Sequence, residues 1–311
     1  VDLTQLRGVD ELLTQLSVGY RNAQYVSEIV APQVPTTKDA GRYLVGTRDA
    51  WRPTDDRRRP GTAAGEMRWG LSADTFYCDG HAQLAGIPDE WRRIAVAAGI
   101  NLDVSGTQKL TDIVALNKEV ALVASLVAGA TTVNLTGEKW DDDDQDPVAR
   151  VDLDKETILK ACGQAPNTLL LSRPVFRGIR NNANVTGKIT AAGSLQQALV
   201  TAQQLAAIFE VEQVLVADAV KLTSNEGATD VSDFVWGKYA LLFYRNPTPA
   251  PDEVNLARTF RWPVPGGQQG RAVLRYRDNE KNHQDIIEVQ DYYDQKVVVV
   301  GAGILYSNAV A

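Results

Sequence analysis

Histidine, cysteine and methionine are nearly missing from this chain: among 311 residues there are two, two and one of them. His81 sits beside Gly80 and His283 in a polar stretch, so both read as solvated loop residues rather than a metal ligand or a general base. Cys78 and Cys162 are far apart and match no metal spacing, which predicts two buried thiols in a reducing compartment instead of a disulfide. No apolar run is long enough to span a bilayer, so no membrane partner is expected. The first residues, VDLTQLRGVDELLTQL, are amphipathic and acidic without the apolar stretch of a signal peptide, which favours a cytoplasmic setting. The missing initiator Met leaves N-terminal processing open.

Motifs of catalysis and cofactor binding are equally scarce. There is no Gly-x-Ser-x-Gly elbow. NVTGK lacks the upstream glycine and the following hydroxyl of a phosphate loop, and VVVVGAGILY lacks the third glycine of a dinucleotide fingerprint. Asp141 to Asp144, with Asp146, form a dense acidic run, but without the alternate spacing and glycine of a calcium loop they read as a solvated turn. A metal hydrolase would need clustered ligands that two isolated histidines do not supply. No cofactor and no enzymatic activity are expected.

What is present is ordinary globular composition, 44% hydrophobic and 23% charged, enough for one large domain or two joined ones. A net charge of -7 argues against a basic nucleic-acid binder. Leu3, Leu6, Leu12, Leu13 and Leu16 suggest a short amphipathic helix, followed by IVAPQVPTT, whose prolines favour extended chain. GRYLVGTRDAW and EMRWGLSADTFYCDG alternate as in a two-stranded ribbon. The longest helix is expected over 108–128, capped by Ser105 or Thr107 and ended by Gly129. From 154 the texture alternates: a helix capped by Asp154 and stopped by Gly163, the buried strand NTLLLS, the short helix RPVFRGIRNN, the helix SLQQALVTAQQLAAIF and the strand VEQVLVADAV. FVWGKYALLFY reads as a further strand, and the chain closes on RAVLRYRD and DIIEVQDYYDQKVVVVGAGILY around a charged hairpin tip, NEKNHQ.

The most informative stretch is WRPTDDRRRPGTAAGEMRW, from Trp51 to Trp69. It has no helical period and cannot build a core. A lone ribbon with such a tip is marginal in water, so something else must cover it. Across residues 42–68 seven arginines face four acids, a positive feature on a chain that is otherwise negative. Its natural electrostatic partner is another copy of the same chain.

The order of these parts resembles the major capsid proteins of tailed bacteriophages, the Hong Kong 97-like α+β fold. YVSEIVAPQVPTTKDAGRYLV looks like the entry into that family's extended loop, and RRRPGTAAGEMRW like its tip and return strand. LTGEKWDDDDQDPV with PNTLLLSRPVFRGIRNN looks like the passage into the axial domain, and IIEVQDYYDQKVVVVGAGILYSNAV like the closing strand. The resemblance implies an N-terminal arm over 1–38, an extended loop over 39–80, a peripheral domain over 81–153 with spine helix 108–128, an axial domain over 154–251 and closing strands over 252–311. It implies a virion shell protein, assembled in the host cytoplasm into pentamers and hexamers of an icosahedral capsid around double-stranded DNA held without sequence specificity. Scaffolding, portal and cement proteins are the further partners it suggests, and an encapsulin-like cellular shell is the alternative. Contacts between subunits are expected from Trp51, Arg52, Arg57, Arg58, Arg59, Arg68 and Trp69 of the loop, and from Arg277, Glu280 and Lys281 of a threefold tip over 276–284, with 223–233 as a candidate axial loop. One branch of that family bonds a loop lysine covalently to a neighbour. Between Asp39 and Gly80 this chain has no lysine, so no such mesh is expected.

Overall fold

A computed structural model describes residues 8–9, 25–46, 48–53, 56–61, 63, 70–97, 101–191, 200–225, 227–246, 253–263, 271–278 and 283–311. Of the expected arm helix only Gly8 and Val9 fall among these, and they form a strand, β1. The five leucines of that expectation lie outside the described residues. Then come α1 (Ser27–Val30), β2 (Gln33–Pro35), β3 (Ala40–Gly46), β4 (Leu71–Tyr77), β5 (Asp79–Pro88), α2 (Asp89–Ala97) and α3 (Leu102–Gly129). Next follow β6 (Thr131–Asn134), α4 (Pro147–Cys162), β7 (Thr168–Ser172), α5 (Arg173–Asn181), α6 (Ala183–Ala191), α7 (Ala202–Ile208), β8 (Gln213–Ala217), β9 (Val220–Leu222), β10 (Ser232–Phe234) and β11 (Ala240–Phe243). β12 (Ala257–Arg261), β13 (Arg271–Asp278), β14 (Gln284–Val297) and β15 (Gly303–Ser307) close the chain.

Two sheets result. In the first, β14 is the axis: β5 runs antiparallel along one side of it, while β13 and then β12 line the other. β1 extends this sheet beyond β13, and β2 adds parallel to β12. One face meets α3, where Leu110 and Val114 pack on Ile87, Val273, Ile287 and Val289. The second sheet has the order β6-β15-β11-β7-β8. Its central strands β7 and β11 are buried along their whole length, which is why TLLLS and ALLF run apolar instead of alternating. Val151 and Ile158 of α4, Val175 and Ile179 of α5 and Leu205 of α7 complete this core.

Several boundaries differ from the sequence expectation, each for a local reason. α3 starts at Leu102, because the Asn101 side chain accepts the backbone N–H groups of Asp103 and Val104. Thr107 is inside the helix, its hydroxyl donating to the Asp103 carbonyl, and Ser105 is helical too. α4 starts at Pro147 after an Asp146 cap. Asp154 is buried within it, accepting from Arg150 Nε at 3.0 Å and from the Tyr306 hydroxyl at 2.8 Å. Gly163 ends α4 as expected, in the left-handed conformation with φ 74°. Of the helix expected over SLQQALVTAQQLAAIF, Ala202–Ile208 is described and is held by a Thr201–Gln204 capping box. FVWGKYALLFY breaks at a turn after Phe234, leaving β11 as its strand. The closing stretch bends through a short helical turn, Val300–Ala302, between β14 and β15. His81 lies within β5, not in a loop, and stacks on Tyr293 with ring centroids 4.1 Å apart. Both cysteines are buried free thiols.

Candidate intersubunit surfaces

The ribbon β3–β4 pairs from Ala40 opposite Tyr77 to Gly46 opposite Leu71. Its root is fastened to the first sheet by an aromatic cluster. Tyr43 and Phe76 pack on Phe260, with ring centroids 5.1 and 4.6 Å away, and Val34 and Cys78 fill in around them. The Tyr43 hydroxyl donates to Asp74 at 2.8 Å, and burial with that neighbouring carboxylate pushes its pKa up. The backbone N–H of Tyr77 donates to Asp294 at 2.9 Å. The face turned away from this cluster is uncovered: Leu44 and Tyr77 lie on it and are more than half exposed.

The tip begins with a short helical turn, Arg48–Trp51. The Trp51 indole lies over Gly163, where a Cβ would come within 2.7 Å of Cζ2. Gly163 is thus fixed twice, by its positive φ and by the ring above it. The ring nevertheless remains 52% exposed, so one face is still available. Arg52, Arg57, Arg58 and Arg59 are all exposed. Arg68 and Trp69 lie outside the described residues, as do Glu280 and Lys281.

The hairpin of β13 and β14 ends in an ionic clamp. Arg277 donates through two nitrogens to Asp89, at 2.7 and 3.1 Å, and to Asp285 at 3.2 Å. Arg92 reaches Asp103 at 2.9 Å and Asp285 at 2.8 Å. Arg275 touches the same two carboxylates. Four elements, α2, α3, β13 and β14, are locked together here. The hydrogen bond from Arg277 holds the Asp89 carboxyl below its ordinary range. The candidate contact residue Arg277 is therefore bound within its own subunit.

Sequence reasoning missed three other exposed apolar groups. Trp91 and Ile94 stand on the outer side of α2, Leu153 and Leu159 on α4, and Val220, Leu222 and Val231 around the β9–β10 ribbon. The ribbon β9–β10 flanks the candidate axial loop 223–233. For Trp91 the signal was available, since a tryptophan one residue after Asp-Glu in a short helix seldom serves a core.

Between α3 and the first sheet lies a buried polar set that sequence periodicity does not display. Asp291, fully buried, accepts from Arg261 at 3.0 and 2.7 Å, with Arg271 at 3.6 Å. Lys118 of α3 is buried beside them, its amine 3.8 Å from Glu28 and 5.3 Å from the centroid of Tyr293. Burial outweighs the Asp291 attraction and brings its pKa down to about 8. Next along the helix, Glu119 accepts the backbone N–H groups of Val26 and Ser27 and the indole N–H of Trp236. Burial pushes its pKa up against those three hydrogen bonds. The run Asp141–Asp144 is exposed but not merely a solvated turn: Asn182 donates to the carbonyls of Trp140, Asp142 and Gln145, and the Asp143 carboxylate accepts the Ala183 N–H. Among the described residues no group of three or more His, Cys, Asp or Glu side chains is placed to hold a metal. Nor, among them, is any helix long and apolar enough to cross a membrane.

A sheet with a long axial strand, a spine helix across it, a second sheet whose central strands are wholly buried and a projecting ribbon are the parts of an α+β capsid fold of the Hong Kong 97-like kind. No family model matches the chain. The major capsid protein of Burkholderia phage BcepMu is 26% identical over 250 residues, spanning 78% of each chain. A phage-related protein from Bordetella bronchiseptica RB50 has a crystal structure similar to this chain with TM-score 0.76 and 25% identity, covering 97% of this chain and 98% of that one. The capsid structure of cyanophage P-SCSP1u matches with TM-score 0.59 at 8% identity over 92% and 89%. An encapsulin of Synechococcus elongatus PCC 7942 shares the fold, with TM-score 0.54 at 15% identity over 96% and 95%. The chain is a structural capsid protein of the virion shell, and not an enzyme.

Proposed function

We propose that this chain assembles through pentamers and hexamers into a closed icosahedral shell around double-stranded DNA, in the host cytoplasm, with scaffolding, portal and cement proteins as further partners. In this reading residues 1–38 are the arm, 39–80 the extended loop, 81–153 the peripheral domain, 154–251 the axial domain and 252–311 the returning strands. The observation that carries it is the β3–β4 ribbon, packed on Phe260 by one face and open to solvent on the other, with Leu44 and Tyr77 bare. A two-stranded ribbon of this kind is stable only when covered. Trp51 and the arginines Arg52, Arg57, Arg58, Arg59 and Arg68, with Trp69, are the anchors through which it would lie on a sister subunit. Trp and Arg combine large buried area with bidentate hydrogen bonding. Arg277, Glu280 and Lys281 would serve a second contact at the hairpin tip, Arg277 sharing its guanidinium between Asp89 and a neighbour.

Electron microscopy and sedimentation of the purified chain test this directly, with closed particles as the expected result. Replacing Arg57, Arg58 and Arg59 together by Ala should reduce particle yield at least tenfold while leaving subunit melting unchanged. Normal particle yield from that variant would remove the loop arginines from the assembly contacts. The encapsulin neighbour supports a second reading, a cellular compartment of the same fold. Nuclease-protected DNA inside particles recovered from the native source favours the virion; protein cargo favours the compartment.

A further inference from the structure

We propose that the exposed face of α2, built from Trp91 and Ile94 with Glu90 and Arg93 at its rim, is a contact between copies of this chain that joins neighbouring assembly units to one another. The inference rests on the shell reading and adds a surface to it. Trp91 is 64% exposed and Ile94 68%, the two being one helical turn apart on the same side of a nine-residue helix. Two large apolar side chains this bare on one short helix are anchors awaiting a partner rather than parts of the subunit's own core.

The helix carrying them is rigidly mounted. Asp89 is held by Arg277, and Arg92, pointing to the other side, is held by Asp103 and Asp285. Those bonds fix α2 against α3, β13 and β14, so the face is ordered before any partner arrives. The same clamp places α2 directly beside the β13–β14 hairpin, whose tip is proposed above as a subunit contact.

Charge identifies the occupant as a second copy. Glu90 and Arg93 are both exposed, and neither is among the ion pairs of the described residues. One acid and one base along one side of an apolar pair make a neutral, self-complementary rim, in which Arg93 of one copy meets Glu90 of the next. A strongly acidic or basic partner would find no matching field there. One α2 face is far smaller than the roughly 1,200 Å² of total buried surface that a stable isolated pair requires. The contact therefore holds only where many copies are joined at once, as in a closed shell.

The test uses the full chain and three variants, read by sedimentation and electron microscopy. Trp91→Glu is expected to cut closed particles at least tenfold and to leave smaller ring-like assemblies in their place. Glu90→Arg is expected to do the same more mildly, and Glu90→Arg with Arg93→Glu to restore particles. Should Trp91→Glu disturb subunit folding, the charge pair decides alone. Closed particles in normal yield from Trp91→Glu, or no restoration by the double charge exchange, overturns the inference. If the unaltered chain forms no closed particles under any assembly condition, the shell reading itself fails, which is a different result from normal closure by the Trp91 variant.

Discussion

The two sheets of this molecule are built on different terms. The second sheet is sealed on both faces at its centre: β7 and β11 bury every residue, and the side chains around them are almost all apolar. The first sheet is sealed by α3 on one face, and its buried apolar cluster there holds six residues. Beside that cluster and the aromatic one at Phe260, its interior carries charge, with Lys118, Arg258, Arg261, Arg271 and Asp291 all nearly inaccessible. From its margins project the elements with bare apolar groups, the β3–β4 ribbon and α2. Bare apolar groups also stand at the edge of the other half, on α4 and around the β9–β10 ribbon, so the contrast lies in the interiors, apolar in one sheet and largely ionic in the other.

The largest difference to be measured follows from that contrast. Leu170, in the middle of β7, is fully buried. Leu170→Ala should cost about 3–5 kcal/mol of subunit stability through lost transfer energy and the cavity left behind. Leu84→Ala, on the exposed side of β5, should cost under about 0.5 kcal/mol. Chemical denaturation of both variants checks the comparison. Equal losses would mean that the first sheet is as self-sufficient as the second.

A smaller effect comes from Lys118. Its pKa is near 8 in the fold against 10.5 in an ordinary lysine, mainly through burial, with Asp291 and Glu28 opposing and Arg261 and Arg271 reinforcing the shift. The unfolded chain therefore binds more protons between pH 8 and 10.5, and this group adds stability as pH rises through that window. The added stability is lost as pH falls through about 8. Lys118→Met removes a buried charge while Asp291 keeps its arginines, so it should stabilise the subunit by about 1–3 kcal/mol at pH 7 and flatten the rise above pH 8. Denaturation midpoints at pH 7, 8 and 9 for both proteins measure this. An unchanged slope in the variant would show that the amine is solvated in the folded subunit.

How far the sequence discloses this arrangement depends on whether the controlling contact is local. The ribbon is legible because alternation in GRYLVG and LSADTFY is a property of neighbouring residues, and β7 because a run of leucines between turn residues leaves little choice. The Asp146-Pro147 pair also announces α4, although Asp154, a residue of the same chemical type further on, draws attention from it. The start of α3 is hidden by Gly106, a poor helix former at a place where an added Cβ would be in ordinary contact with Ile87 and Ile287. What sequence cannot display is long-range pairing. Arg261 and Asp291 look like exposed strand charges until β12 and β14 bring them together under Lys118. Trp51 is legible as an anchor, but nothing near it points to Gly163 as its seat.

That seat supplies the finest test of the comparison, because it is where the loop touches the end of α4, which packs on the second sheet. Trp51→Ala should lower isolated-subunit stability by only about 1 kcal/mol, since half of the indole is already in water. Gly163→Ala should cost about 1–2 kcal/mol for its left-handed φ of 74° and more again for the contact its Cβ would make with the ring, 2.7 Å from Cζ2. Once the indole is gone that second cost disappears. The double variant should then be more stable than the sum of the single losses requires, by about 1 kcal/mol. Strict additivity would place Trp51 away from Gly163 in the free subunit, and the loop would then be held at its aromatic root alone. Coupling of the expected sign means that the ribbon already leans on the end of α4 in the free subunit, with one face of the indole left open.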